Sequence, residues 1–155
     1  MPLVFVLCSL LLAAVQRPAD VVRWTAAAPA ASAAPGTTVK ITVAAKVQSG
    51  WKLYAIDQPA DGPEPLTFGV ARDSGFSVTA KQITAPRAKV QNDENFGLQT
   101  RYYENDVSFT VPVGVPRSAH GVSHVPLEIT FQACGQNICL RPYTEKLQVP
   151  ITISR

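Results

Sequence analysis

The chain has 155 residues, 46% of them hydrophobic and 16% charged, and its 14 Lys and Arg against 11 Asp and Glu give a net charge of +3. The positive charge is spread without a basic run, which argues against nucleic acid as a partner. The length fits one domain with a real core and is too short for two comfortable ones.

The first element is "MPLVFVLCSLLLAAVQ", apolar from Pro2 to Val15 except for Ser9, with polarity returning at Gln16 and Arg17. That is the length of a signal-peptide core and too short to span a bilayer, and no later stretch is apolar enough for a membrane helix. Residues 1–16 are therefore expected to be a signal peptide, processed between Ala14 and Ala19, and residues 17–155 the exported domain, in the periplasm or another extracytoplasmic space. Cys8 would leave with the signal; bulky Val6 and Leu7 stand before it where a lipoprotein signal has small residues. The exported chain would then carry an even pair, Cys134 and Cys139, where disulfides can form.

From there 13 prolines and 9 glycines punctuate short apolar segments whose period is two. The pattern predicts strands over Val21 to Ala27, Val39 to Val47, Trp51 to Ala55, Leu66 to Ala71, Phe76 to Ile83, Val107 to Val113, Val122 to Ala133 and Glu145 to Ile153. Short strands in that number, with turn signals between them, predict an all-β fold, an immunoglobulin-like β-sandwich. Between strands, "AAAPAASAAPG" (26–36) reads as a loop inside the domain and "QPADGPEP" (58–65) as an ordered loop. "APRAKVQNDENFGLQTRYYEND" (85–106) reads as a long irregular stretch, polar around Phe96, of a length that is often functional in a small domain.

The last elements hold the chemistry, in "FQACGQNICLRPY" (131–143). Alternation through Val125, Leu127, Ile129, Phe131 and Ala133 puts Cys134 in phase with the polar face, while the facing of Cys139 is not readable. A hairpin with the loop Gly135 to Ile138 would set the cysteines opposite each other, within disulfide reach. As a staple the bridge is poorly placed: a ring of six residues contributes about 2.2 kcal/mol against roughly 4.7 for one of a hundred. It also joins strands their own hairpin already joins. Zinc is the second reading, since His120 and His124 show H-x3-H spacing. Against it, the ten extended residues from His124 to Cys134 span roughly 33 Å. Thiol–disulfide exchange is the third; it needs access at an exposed turn and a lid when no partner is bound.

Three segments, in order, resemble the amino-terminal domain of the thiol:disulfide interchange protein DsbD, an immunoglobulin-like periplasmic module. "GWKLYAIDQPADGPEPLTF" (50–68) is similar to its Gly-aromatic-x-Leu-Tyr strand and following loop, and "NDENFG" (92–97) to its acidic, aromatic cap loop. "FQACGQNICLRPYTEKLQVPI" (131–151) resembles its redox hairpin, including the glutamine two residues before the first cysteine. The resemblance implies that Cys134 and Cys139 are the redox pair and that Cys139 forms the mixed disulfide. It also implies that Phe96 is the cap aromatic, Asp93 and Glu94 the cap acids, and Tyr54 the tyrosine lining the site.

This sequence departs from the best-known members in several places. They have one more residue between the cysteines and a further aromatic in the cap; Lys52 stands where they have a second tyrosine, and Arg141 where a proline often follows. The family's whole protein also carries a membrane domain and a thioredoxin domain, neither encoded in these residues. The expected function is thus exchange of electrons from a thioredoxin-like protein or a membrane electron carrier to extracytoplasmic thiol proteins, by a monomer that needs no metal or organic cofactor. The alternative is a non-catalytic β-sandwich adaptor with a structural turn disulfide.

Overall fold

Alternation of buried and exposed side chains is the rule that organises the computed structural model, which describes residues 16–30 and 32–154. Its strands are β1 (Val22–Ala27), β2 (Thr38–Val47), β3 (Lys52–Tyr54), β4 (Thr67–Val70), β5 (Ser77–Val78) and β6 (Lys89–Asp93). They continue as β7 (Leu98–Tyr103), β8 (Asp106–Gly114), β9 (Val122–Phe131), β10 (Ala133–Cys134) and β11 (Tyr143–Thr152). One sheet has the order β1-β2-β8-β5, a second β11-β9-β4, and a third, of four strands but fewer residues, β10-β3-β7-β6. Every pairing within them is antiparallel.

The first two sheets face each other across the core. β2 buries Val39, Ile41, Val43, Ala45 and Val47 and turns the residues between them outward, while β9 buries Val125, Leu127, Ile129 and Phe131. Aromatic rings bridge the layers: Trp24 of β1 meets Phe131 of β9 at 5.5 Å between centroids, and Phe109 of β8 meets Phe68 of β4 at 5.2 Å. Inner faces that interdigitate in this way make an immunoglobulin-like β-sandwich, the predicted fold.

Three local expectations are corrected. The stretch 85–106 is not irregular: β6 and β7 form a hairpin from Lys89↔Tyr102 to Asp93↔Leu98. Its inward residues include polar Asp93 and Thr100, both buried, and its Val90 is 53% exposed, so hydrophobic periodicity could not reveal it. The strand expected over Phe76 to Ile83 shrinks to β5, because only Ser77 and Val78 find partners at the end of β8, and a 3₁₀ turn follows at Ala80–Gln82. The strand expected through Ala133 changes partner at Gln132: up to Phe131 it pairs with β11, and beyond Gln132 it pairs with β3.

That change of partner carries the cysteine hairpin into the third sheet. β3 lies between β10 and β7 and so joins the hairpin to β6 and β7. No helix among the described residues is long and apolar enough to cross a membrane. The expected signal peptide up to Val15 and Cys8 lie outside the described residues.

Candidate functional site

Cys134 ends β10, and the turn after it is closed by two backbone hydrogen bonds. The Gly135 N–H donates to the Ile138 carbonyl at 2.8 Å and the Leu140 N–H to the Ala133 carbonyl at 3.0 Å. Cys134 and Cys139 therefore oppose each other across an antiparallel bridge, with Cα atoms 4.1 Å apart and their sulfurs joined. The hairpin expected from the spacing is formed. The facing of Cys134 is corrected, for its side chain is only 1% exposed. The polar phase it shared belongs to β9, and past Gln132 the chain lies beside β3, with Cys134 facing a cleft walled by the end of β6. Cys139, unreadable from the pattern, is partly exposed.

Gln132 fixes this hairpin to its surroundings. Its Nε2 donates to the Leu140 carbonyl at 3.1 Å, and its Oε1 accepts from the Glu64 N–H at 2.8 Å, tying the hairpin to the loop 58–65. Behind the turn, the Trp51 indole lies against Gly135.

The opposite wall is the tip of the β6–β7 hairpin. Gly97 closes it, donating its N–H to the Asp93 carbonyl at 2.8 Å with φ at 66°, a conformation that suits glycine. The turn carries Phe96, half-buried, whose ring meets Tyr54 edge-on at 5.7 Å. Tyr54, on β3, is fully buried and donates its hydroxyl to Asp93 Oδ2 at 2.7 Å. Asp93 is 2% exposed and accepts three further bonds: from Gln91 Nε2 at 3.0 Å, the Asn95 N–H at 3.0 Å and Thr100 Oγ1 at 3.1 Å. Burial by itself would raise the Asp93 carboxyl, but the donors, Tyr54 foremost, outweigh it and hold the group below the usual carboxylate range. Burial first, and then the bond to that carboxylate, push the Tyr54 phenol well above its ordinary value.

Between the walls lies a cleft of about 220 Å³. Cys134, Gly135 and Gln136 form one side, Asp93 and exposed Glu94 are on the other, and Lys52, on the strand between them, lines it as well. The structure thus brings Tyr54, Asp93 and Phe96 into contact, sets Asp93 and Glu94 on one cleft with Cys134, and joins Cys134 to Cys139. Sequence reasoning missed Gln91 and Thr100 as ligands of the Asp93 carboxylate. Gln91 and Asp93 stand two apart, but that spacing puts them on one face only once the segment is known to be a strand. His120 and His124 are exposed at the far end of β9, where His124 pairs with Pro150, and among the described residues no cluster of His, Cys, Asp and Glu could hold a metal ion.

The cap hairpin and the cysteine hairpin both lie inside residues 21–151, which match the family model described as "Thiol:disulfide interchange protein DsbD, N-terminal". The chain belongs to this family. Two solved structures share its fold. The reduced DsbD N-terminal domain of Neisseria meningitidis is 16% identical with a TM-score of 0.56, over 88% of this chain and 90% of that one. The N-terminal periplasmic domain of ScsB from Proteus mirabilis is 20% identical with a TM-score of 0.53, over 86% of this chain and 49% of that one. No curated protein is similar enough to count as a match. As a DsbD N-terminal domain, the chain is a thiol:disulfide interchange domain with its two described cysteines at bonding distance.

Proposed function

We propose that this protein is an extracytoplasmic electron shuttle: it takes an electron pair from a thioredoxin-like donor or a membrane electron carrier and passes it to extracytoplasmic thiol proteins through Cys134 and Cys139. The observation that carries this reading is the unequal access of the two cysteines, Cys134 buried and Cys139 partly exposed. Exchange requires a thiolate to approach one sulfur in line with the bond it breaks, so an incoming donor reaches Cys139. A bond forms between the donor sulfur and Cys139 as the Cys134–Cys139 bond breaks, and a second donor thiol then resolves the mixed disulfide. In the forward half, the Cys139 thiolate attacks the substrate's disulfide, and Cys134 attacks Cys139 to release reduced substrate and restore the bridge. The electron pair enters and leaves on sulfur. Tyr54 and Asp93 hold the tip of the cap, and Phe96 packed on Tyr54 serves as its movable aromatic.

Trapping tests the assignment. Cys134→Ala should accumulate a mixed disulfide with a thioredoxin-like partner, because the attacking sulfur remains and the resolving one is gone, whereas Cys139→Ala should not. Accumulation by Cys139→Ala alone would exchange the two roles, and accumulation by neither would leave the bridge as a turn staple.

A further inference from the structure

Opening the disulfide at Cys139 leaves the other sulfur with a problem of solvation. As the donor sulfur bonds to Cys139, Cys134 Sγ departs with the bonding electron pair as a thiolate, and its side chain is 1% exposed. An anion formed out of reach of water is costly unless a charge or hydrogen-bond donor faces it. One cation is placed to do so. Lys52 is the register partner of Cys134 across the β3–β10 ladder, and directly opposed residues carry their side chains on one face with Cβ atoms about 4.5–5.5 Å apart.

Both residues line the cleft, and Lys52 is the sole cation among the described residues that do. Its ammonium is anchored there: Nζ donates to Gln91 Oε1 and lies 4.9 Å from the centroid of the Tyr102 ring. The charged groups across the cleft are Asp93 and Glu94 of the cap. Asp93 is already satisfied by its own four donors, and Gln91 links it to Lys52 by donating to Asp93 Oδ2 at 3.0 Å. Lys52, Gln91 and Asp93 thus form one chain of hydrogen bonds that holds the ammonium at the cleft Cys134 lines.

We propose that Lys52 is the electrostatic partner of Cys134, stabilising the thiolate that leaves when a donor opens the disulfide at Cys139. The inference rests on the exchange reading of the pair and adds a specific residue to it. The same charge lowers the cost of the Cys134 thiolate that resolves the mixed disulfide with substrate.

The test is a titration of Cys134 in the full chain carrying Cys139→Ala, followed by the Cys134 ¹³Cβ shift so that each thiol is read separately. Lys52→Met should raise the Cys134 thiol pKa by about one unit or more, the effect of removing an opposite charge within about 4–6 Å, and Lys52→Arg should restore it. Lys52→Gln keeps an amide donor for Gln91 and should give the same rise as Lys52→Met, separating charge from packing. With both cysteines present, Lys52→Met should also slow reduction by dithiothreitol. An unchanged Cys134 pKa in folded Lys52→Met and Lys52→Gln overturns the proposal even where the pair exchanges with partners. A raised pKa in a protein that traps no partner upholds the electrostatic pairing and removes only the shuttle reading.

Discussion

Asp93 holds the cap together through one carboxylate. Its four donors come from β3, β6, the turn and β7, so a single side chain ties three strands to the tip that carries Phe96. Truncation strands the Tyr54 and Thr100 hydroxyls, both fully buried, and each buried polar group left without a partner costs about 1–3 kcal/mol. Asp93→Ala should therefore lower stability by on the order of 3 kcal/mol, measured by denaturant unfolding at neutral pH. The carboxyl's depressed value sets the sign of its pH dependence. Its contribution is complete above the unfolded Asp value of about 3.9 and is lost as pH falls from there through the lower folded value. Asp93→Asn should flatten that acid limb, and an acid limb as steep as wild type's would remove Asp93 from this role. None of this was legible in composition or periodicity. Asp93 and Tyr54 were named by resemblance to a family, whereas Gln91 and Thr100, which carry no motif, were invisible until the strands they sit on were known.

At the scale of elements, what the sequence revealed depended on which side chains a strand buries. β2, β8 and β9 bury apolar residues at every second position along most of their length, and β11 does so at Val149 and Ile151, so alternation located them to within a few residues. β6 and β7 bury Asp93 and Thr100 and expose Val90, so the same rule read them as loop. The cysteine hairpin was legible from spacing alone, but the burial of Cys134 was not, because it depends on the change of partner at Gln132. The β6–β7 tip is also where a lid can be tested. Phe96 is half-buried against Tyr54, not set among the core aromatics. Phe96→Ala should speed reduction of the oxidised protein by a small thiol, at a stability cost below the roughly 3–5 kcal/mol of a core phenylalanine truncation. Unchanged reduction kinetics with a core-sized loss would make Phe96 packing and nothing more.

Across the whole molecule, the sandwich and the cysteine hairpin are separable in energy. The core that spans the two large sheets, through Trp24, Phe68, Phe109 and Phe131, lies away from the cleft and does not include either cysteine. β9 and β11 are in register from Val122↔Thr152 to Phe131↔Tyr143, so the strands leading to the bridge are already held without it. A ring of six residues adds only about 2.2 kcal/mol by chain entropy. The proposed exchange, which passes through oxidised, mixed and reduced states, gains from that arrangement, since the frame need not respond to the chemistry at its edge. Cys134→Ala combined with Cys139→Ala should accordingly stay folded with a stability loss of about 2 kcal/mol. Hydrogen exchange separates the two parts spatially, because amides in the core open only with the global fold while those of loops open locally. Reduction of the wild-type protein should leave β2, β8 and β9 amides protected and raise exchange only in the segments 92–97 and 135–141. Loss of protection throughout the sandwich on reduction, or an unfolded double variant at room temperature, would mean that the bridge holds the fold and is not free to exchange.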